Sequence, residues 1–190
     1  MSRRTVSSIA MVFALLLTAA PAWAVTHYVN SSNSAPISPY TNWVDAATNI
    51  QQAVDASVDG DTVFVTDGTY FVSAQIVVTG ALVVKSVNGR DATIVDGLTS
   101  NRCFFISHSN AVLDGFTLTR GYTTGGGGGA CIQAGQILGC RVFSNSCNSA
   151  PAIGGGLLVG GGVLISNCAI SANQSQGYGF GLSTYQHAYG

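Results

Sequence analysis

Leu113-Asp114-Gly115-Phe116-Thr117-Leu118, Ile137-Leu138-Gly139-Cys140-Arg141-Val142 and Ile165-Ser166-Asn167-Cys168-Ala169-Ile170 are three copies of one pattern, set 24 and 28 residues apart. The columns Leu113/Ile137/Ile165, Phe116/Cys140/Cys168 and Leu118/Val142/Ile170 are apolar throughout, whereas Thr117/Arg141/Ala169 is mixed. Successive side chains of a strand point to opposite faces, so the same columns face inward in every copy. Two turn columns, Gly115/Gly139/Asn167 and Gly121/Asn145/Asn173, hold only Gly and Asn. These residues accept a left-handed backbone most readily, and such a corner bends a strand without a Cβ clash. A second repeat aligns Gly127-Gly128-Gly129-Ala130-Cys131-Ile132 with Gly154-Gly155-Gly156-Leu157-Leu158-Val159, and Gly179-Phe180-Gly181-Leu182 is a shortened third copy. Each unit therefore reads as a glycine corner, a strand, a turn, a strand, an Asn/Gly corner and a third strand. That is one coil of a solenoid whose neighbouring coils pair in parallel. Residues 61–190 have room for about five such coils.

Working outward, strand-like runs at residues 62–65, 75–79, 82–87, 92–95, 102–107 and 112–119 are separated by Asp67-Gly68, Asn88-Gly89 and Asp96-Gly97. Alone, these links fit the hairpins of an antiparallel sandwich; the repeats favour the parallel stack. Upstream, Thr26-His27-Tyr28-Val29 is a short extended piece followed by a polar loop with Pro36 and Pro39. One helix is predicted over residues 43–57, with Asn42 as N-cap and Val44, Ala47, Ile50, Ala53 and Val54 on one face. Ahead of an all-β chain, such a helix covers the open end of the stack.

Arg3 and Arg4, the apolar run of residues 9–20 and the small residues of Ala22-Trp23-Ala24 have the layout of a cleaved secretory signal. The run is too short for a bilayer-spanning helix, and no later segment spans a membrane. The expected organisation is a signal peptide at 1–24, an N-terminal strand, loop and capping helix at 25–60, and β-helix repeats at 61–190, incomplete at the C-terminus. Export places the protein outside the cell, at the cell surface or in the outer membrane. Without Arg3 and Arg4, five basic residues face eight Asp, so net charge is about −3, and nucleic-acid binding lacks its electrostatic footprint. The abundance of Gly (24 residues) and the scarcity of charge (8%) favour strands over both helix and disorder. Cys103, Cys131, Cys140, Cys147 and Cys168 are an odd number with no zinc spacing, and Cys140 and Cys168 read as buried thiols.

Ile50-Gln51-Gln52-Ala53-Val54-Asp55, Gly60-Asp61-Thr62-Val63-Phe64-Val65 and Asp67-Gly68-Thr69-Tyr70 together resemble the opening segment of pectate-lyase-like right-handed parallel β-helix proteins. Gly128-Gly129-Ala130, Val142-x-x-Asn145 and Ile170-x-x-Asn173 also resemble repeats of polymorphic outer-membrane proteins, with Val and Ile where those carry Phe. The first resemblance implies calcium-assisted elimination on a uronate polymer, with carboxylates holding Ca²⁺ and an Arg or Lys taking the proton. Calcium needs six to eight oxygens, and the candidate constellation is Asp96 and Asp114 with Arg102 or Arg120. The competing reading makes both carboxylates turn residues beside Gly. Motifs of β-helical polygalacturonases are absent, and His27, His108 and His187 read as surface or loop residues. Residues 125–129 lack the Gly-Lys-Ser/Thr ending of a phosphate loop. Tyr122, Phe143, Tyr178, Phe180 and Tyr185 are candidates for a sugar-stacking strip.

Fold alone does not settle function. The sequence reading is a secreted or cell-surface module, non-catalytic in this stretch, with a long face for polysaccharide, cell-surface glycans or another surface partner. No cofactor is evident, and Ca²⁺ belongs only to the alternative: the N-terminal part of a polysaccharide lyase or glycoside hydrolase whose active coils lie beyond residue 190. An uncovered last coil also leads to the expectation of end-to-end self-association.

Overall fold

The computed structural model describes residues 23–148, 153–177, 179 and 181–184. Residues 1–22 of the proposed signal, and Tyr178, Phe180, Tyr185 and His187, lie outside the described residues. Strand β1 (Thr26–Val29) and helix α1 (Ile50–Ala56) precede the coils. The first coil contains β2 (Thr62–Val65), β3 (Gly68–Phe71) and β4 (Ile76–Val78), and the second β5 (Val83–Ser86), β6 (Thr93–Asp96) and β7 (Phe104–Ile106). The third runs through β8 (Val112–Asp114), β9 (Thr117–Thr119), β10 (Tyr122–Thr123) and β11 (Ala130–Ile132). The fourth comprises β12 (Gln136–Leu138), β13 (Arg141–Phe143), β14 (Ser146–Cys147) and β15 (Leu157–Val159). The last contributes β16 (Leu164–Ser166), β17 (Ala169–Ser171), β18 (Gln174–Ser175) and β19 (Leu182–Thr184).

Equivalent strands stack into three long sheets, β1-β2-β5-β8-β12-β16, β3-β6-β9-β13-β17 and β4-β7-β11-β15-β19, with β10-β14-β18 as a short fourth. Every strand pair among the described residues is parallel. The protein is a parallel β-solenoid: five layers linked by about four full turns. Val63, Val84, Leu113, Ile137 and Ile165 are successive register partners, which bears out the proposed inner column. Tyr70, Val95, Leu118, Val142 and Ile170 form the second column, and Ile76, Phe104, Ala130 and Leu157 lie on the third sheet. The Phe104 and Phe116 rings meet across the interior with centroids 5.9 Å apart. Each fully buried large apolar side chain in these columns contributes about 1.5–3 kcal/mol.

The helix covers the open end as expected, burying Ile50, Ala53 and Val54, but it is shorter than predicted. Its N-cap is Asn49, whose side chain accepts the Gln52 N–H at 2.9 Å. Asn42 instead closes a tight turn, accepting the Val44 and Asp45 N–H groups, and Val44 is 80% exposed. The cause is competition for Ala47, whose backbone bonds to Tyr28 and Asn30 and extends the first sheet beyond β1. The helix also seals the third sheet: Gln51 Oε1 accepts the Val77 N–H at 2.7 Å, and Gln51 Nε2 donates to the Val77 carbonyl at 3.3 Å. One amide thus occupies both free groups of a central residue on edge strand β4.

The two Gly/Asn columns do different work. Gly115, Gly139 and Asn167 are left-handed, with φ of 80°, 58° and 52°. In the other column the left-handed residues are Arg120, Ser144 and Ala172, each one position earlier than expected. Gly121 is required there because a Cβ would lie 2.0 Å from the Gly128 carbonyl oxygen. Asn145 and Asn173 are buried and act as internal caps. Asn145 Oδ1 accepts the Gly121 N–H at 2.8 Å, while its Nδ2 donates to the carbonyls of Leu118 and Phe143. Asn173 repeats the arrangement one coil later, accepting the Asn145 N–H and donating to Val142. The glycine alignment holds as well: the N–H groups of Gly127, Gly128 and Gly129 donate to the carbonyls of Gly154, Gly155 and Gly156.

His27 departs from the sequence reading, because it is buried in β1. Its Nε2 lies 3.1 Å from Asp61 Oδ2 and its Nδ1 2.6 Å from the Pro39 carbonyl. Asp61 also accepts the N–H groups of Val25 and Val58, so one carboxylate fastens β1 and the helix exit to the first coil. Burial works to raise the Asp61 pKa, but these N–H bonds and His27 together hold it below 3.8.

Two outcomes follow from these contacts. Asn145→Ala leaves several buried backbone groups unanswered and should cost about 3 kcal/mol in urea unfolding. The Asp61 contribution is complete above pH 3.8 and is lost as pH falls through the lower folded value. Asp61→Asn should therefore flatten the acid limb of the stability–pH curve, and identical acid slopes for the two proteins would contradict this assignment.

Candidate functional site

The four residues of the sequence-based constellation do not converge. Asp114 lies on the outer face of the first sheet, where it is the register partner of Lys85, and their Nζ–Oδ2 distance is 2.9 Å. Leu138 and Ser166 follow it in the column, so the carboxylate is not repeated. Asp96 ends β6 on the second sheet and is buried. Arg120, one coil later, donates from Nε to both Asp96 oxygens at 3.0 and 2.8 Å, and Asp96 Oδ1 also accepts the Leu98 N–H. The pairing raises the Arg120 pKa, so its guanidinium is held as a cation rather than poised as a base. Arg102 stands apart, donating to the carbonyls of Gly126 and Gly127, to Gln75 Oε1 and to Thr123 Oγ1. It closes the glycine corner.

These residues do not fit a calcium centre, since each of the two carboxylates is matched to a cation and they lie on different sheets. Among the described residues, no three His, Cys, Asp or Glu side chains gather where they could hold a metal ion. Cys103, beside Asp96, is no nucleophile either: burial first, and the Asp96 charge second, push its thiol up to about 12.

What the fold does assemble is a strip along the corner between the second and third sheets. There the connections between β3 and β4, β6 and β7, and β9 and β11 lie one above another. A cavity of about 370 Å³ opens between α1 and the first of them, with Gln52, Asp55, Phe71 and Gln75 among its lining residues. A shallower depression of about 320 Å³ continues across the next two coils, lined by Gln75, Asn101, Arg102, Tyr122 and Thr123. Ala74 and Gln75 line both, so they are halves of one surface. Its groups are amides, hydroxyls, the Asp55 carboxylate, one fixed guanidinium and the rings of Tyr70, Phe71 and Tyr122. Asn101 Nδ2 donates to the Val72 carbonyl at 3.1 Å, which fixes the amide on its neighbouring coil.

Of the proposed aromatic strip, Tyr122 lies in this depression and is half-buried, as is Phe143 on β13. Phe71, 61% exposed at the end of β3, was missed. Its strand position is the signal that could have found it: alternation from buried Tyr70 sends Phe71 outward. The chain matches no protein-family model, no curated protein and no solved structure.

The paired carboxylates carry a stability prediction. Asp96→Ala, which removes a buried carboxylate and leaves both the half-exposed Arg120 and the Leu98 N–H without their acceptor, should lower the urea midpoint clearly. Asp114→Ala, at a half-exposed pair, should change stability by less than about 1 kcal/mol. Equal effects would show that the two ion pairs have been ranked wrongly.

Proposed function

We propose that this chain is an exported or surface-displayed β-helix module of pectate-lyase-like kind that binds an extended glycan along the strip of Phe71, Gln75, Asn101 and Tyr122. The observation that carries this reading is the axial alignment of neutral hydrogen-bonding groups and aromatic rings over three consecutive coils. Coils repeat every ~4.8 Å along the stack. A linear polymer of hydroxyl-bearing rings lying along that axis meets a fresh polar partner at each step.

The chemistry of the strip favours a neutral or weakly acidic saccharide. Gln75 and Asn101 offer both donors and acceptors, which suits hydroxyl groups. The Phe71 and Tyr122 rings offer apolar faces to the C–H side of a sugar, burying area with little loss of rotamer freedom. Arg102 is positioned by three carbonyl or amide oxygens, so it shapes the floor while retaining its charge. The pairing of Asp96 and Asp114 with Arg120 and Lys85 supports recognition over bond cleavage, since among the described residues the strip has Asp55 but no second carboxylate across from it.

The test is a polysaccharide array probed with the full chain, followed by calorimetry on the retained glycans. Phe71→Ala and Tyr122→Ala should each weaken binding roughly tenfold, about 1.4 kcal/mol, with an unchanged circular-dichroism spectrum. Absence of any retained glycan would overturn the proposal. Release of unsaturated uronate products on adding Ca²⁺ would replace it with the lyase reading.

A further inference from the structure

Cys140 and Cys168 occupy the same position in consecutive coils, each directly after a left-handed corner residue, Gly139 and Asn167. Their flanking residues are in register, Leu138 with Ser166 and Arg141 with Ala169, and the Ala169 N–H donates to the Cys140 carbonyl at 2.9 Å. The two Cα atoms are therefore about one strand spacing apart, ~4.8 Å, within the roughly 4.4–6.8 Å that a disulfide spans. The side chains also point the same way. Cys140 Sγ lies 3.9 Å from the Leu113 carbonyl oxygen and Cys168 Sγ 3.5 Å from that of Ile137, and Leu113 and Ile137 are themselves register partners. The two thiols therefore lie one above the other on the same side of the corner, each beside the equivalent carbonyl of its neighbouring coil.

We propose that Cys140 and Cys168 are an oxidation site, converted by an external disulfide of the glutathione or oxidoreductase class into a disulfide that staples the fourth coil to the last. The surroundings assign the order of events. Cys140 is fully buried, whereas Cys168 is half-buried. Arg90 reaches over both, with Nη1 3.0 Å from the Asn167 carbonyl and 3.5 Å from that of Cys140. The Cys140 thiol, against the opposing effect of burial and with help from the Arg90 charge, brings Cys168 down to about 7. Burial and the Cys168 sulfur hold Cys140 well above the ordinary thiol value.

Cys168, as thiolate, attacks one sulfur of the external disulfide, forming a mixed disulfide and expelling a thiolate. Cys140 then gives its proton to that thiolate and attacks Cys168 Sγ, and the bond to the external sulfur breaks to release a second thiolate. The two protein thiols lose two electrons and two protons, and the external disulfide takes up both electrons. The product closes a loop across a coil-to-coil step, which lowers the entropy of the unfolded chain.

The test treats the reduced, full-length chain with oxidised glutathione under native conditions, followed by alkylation, intact mass and peptide mapping. The expected result is a product lighter by two hydrogen atoms, one cross-linked peptide joining Cys140 to Cys168, and a melting temperature several degrees higher. Cys140→Ser, which cannot resolve the intermediate, should retain one glutathione on Cys168. Cys168→Ser, at the half-exposed position, should take up none at Cys140 and form no cross-link. Both thiols remaining alkylatable after oxidation, or a cross-link from Cys168 to a different cysteine, would overturn the proposal.

Discussion

In-register backbone hydrogen bonding between consecutive coils is the constraint on which the rest of the molecule depends. Because the bonds run along the stack, each strand residue must lie over its equivalents, and the choice of a residue becomes the choice of a column. Val63, Val84, Leu113, Ile137 and Ile165 are held in one line although the steps between them differ in length. Extra residues are absorbed at corners, between the long strands that fix the register. The corner between the second and third sheets varies most, from the few residues between β3 and β4 to the long glycine-bearing passage between β13 and β15. Variation there leaves the core untouched while shaping a strip that spans three coils and offers both rings and amides.

Corners carry three separate burdens: backbone strain, close approach and polar groups turned away from their strand partners. At Gly115, Gly139 and Asn167 the first dominates, and a left-handed φ selects the residue. At Gly121 the second dominates, because the next passage of chain lies where a side chain would begin. At Asn145 and Asn173 the third dominates, and a buried amide supplies both donor and acceptor to main-chain groups that no strand can reach. The left-handed strain at this second corner is carried instead by Arg120, Ser144 and Ala172, none of which favours it intrinsically. The Asn hydrogen bonds and the stacked coil over-determine their conformation.

This division explains which parts of the fold were legible. Column patterns are set by burial, which depends on residue type alone, so the inner line and the glycine alignment could be read directly. The helix start could not, because Ala47 satisfies both a helical spacing and a strand pairing, and only the presence of β1 decides between them. His27 looked like a loop residue because its partner, Asp61, is 34 positions away and pairs with it through β1 and β2 lying side by side. The association of Asp96 with Arg120 was within reach, since both belong to the same corner one coil apart. The separation of Asp114 from Asp96 was not, because the Gly that follows each hides the fact that they end strands of different sheets.

The same stacking governs what the charges can do. A side chain on a solenoid sees its equivalents above and below at about one strand spacing, so an isolated charge is best matched by an opposite charge one coil away. Lys85 with Asp114 and Asp96 with Arg120 each bridge neighbouring coils, and Arg141 reaches back to Asp91. Arg90 and Arg102 point instead into backbone carbonyls at corners, where unpaired oxygens collect. In a chain with so few charged residues, these fastenings engage most of the cations and their nearest carboxylates. Proton transfer requires a group whose protonation is free to change during reaction, and a carboxylate locked to a guanidinium is poorly suited to that. Recognition has no such requirement. Rigid amides and rings on a regularly spaced scaffold lose little freedom on binding, and the more firmly the coils are fastened, the better ordered that surface is before a ligand arrives.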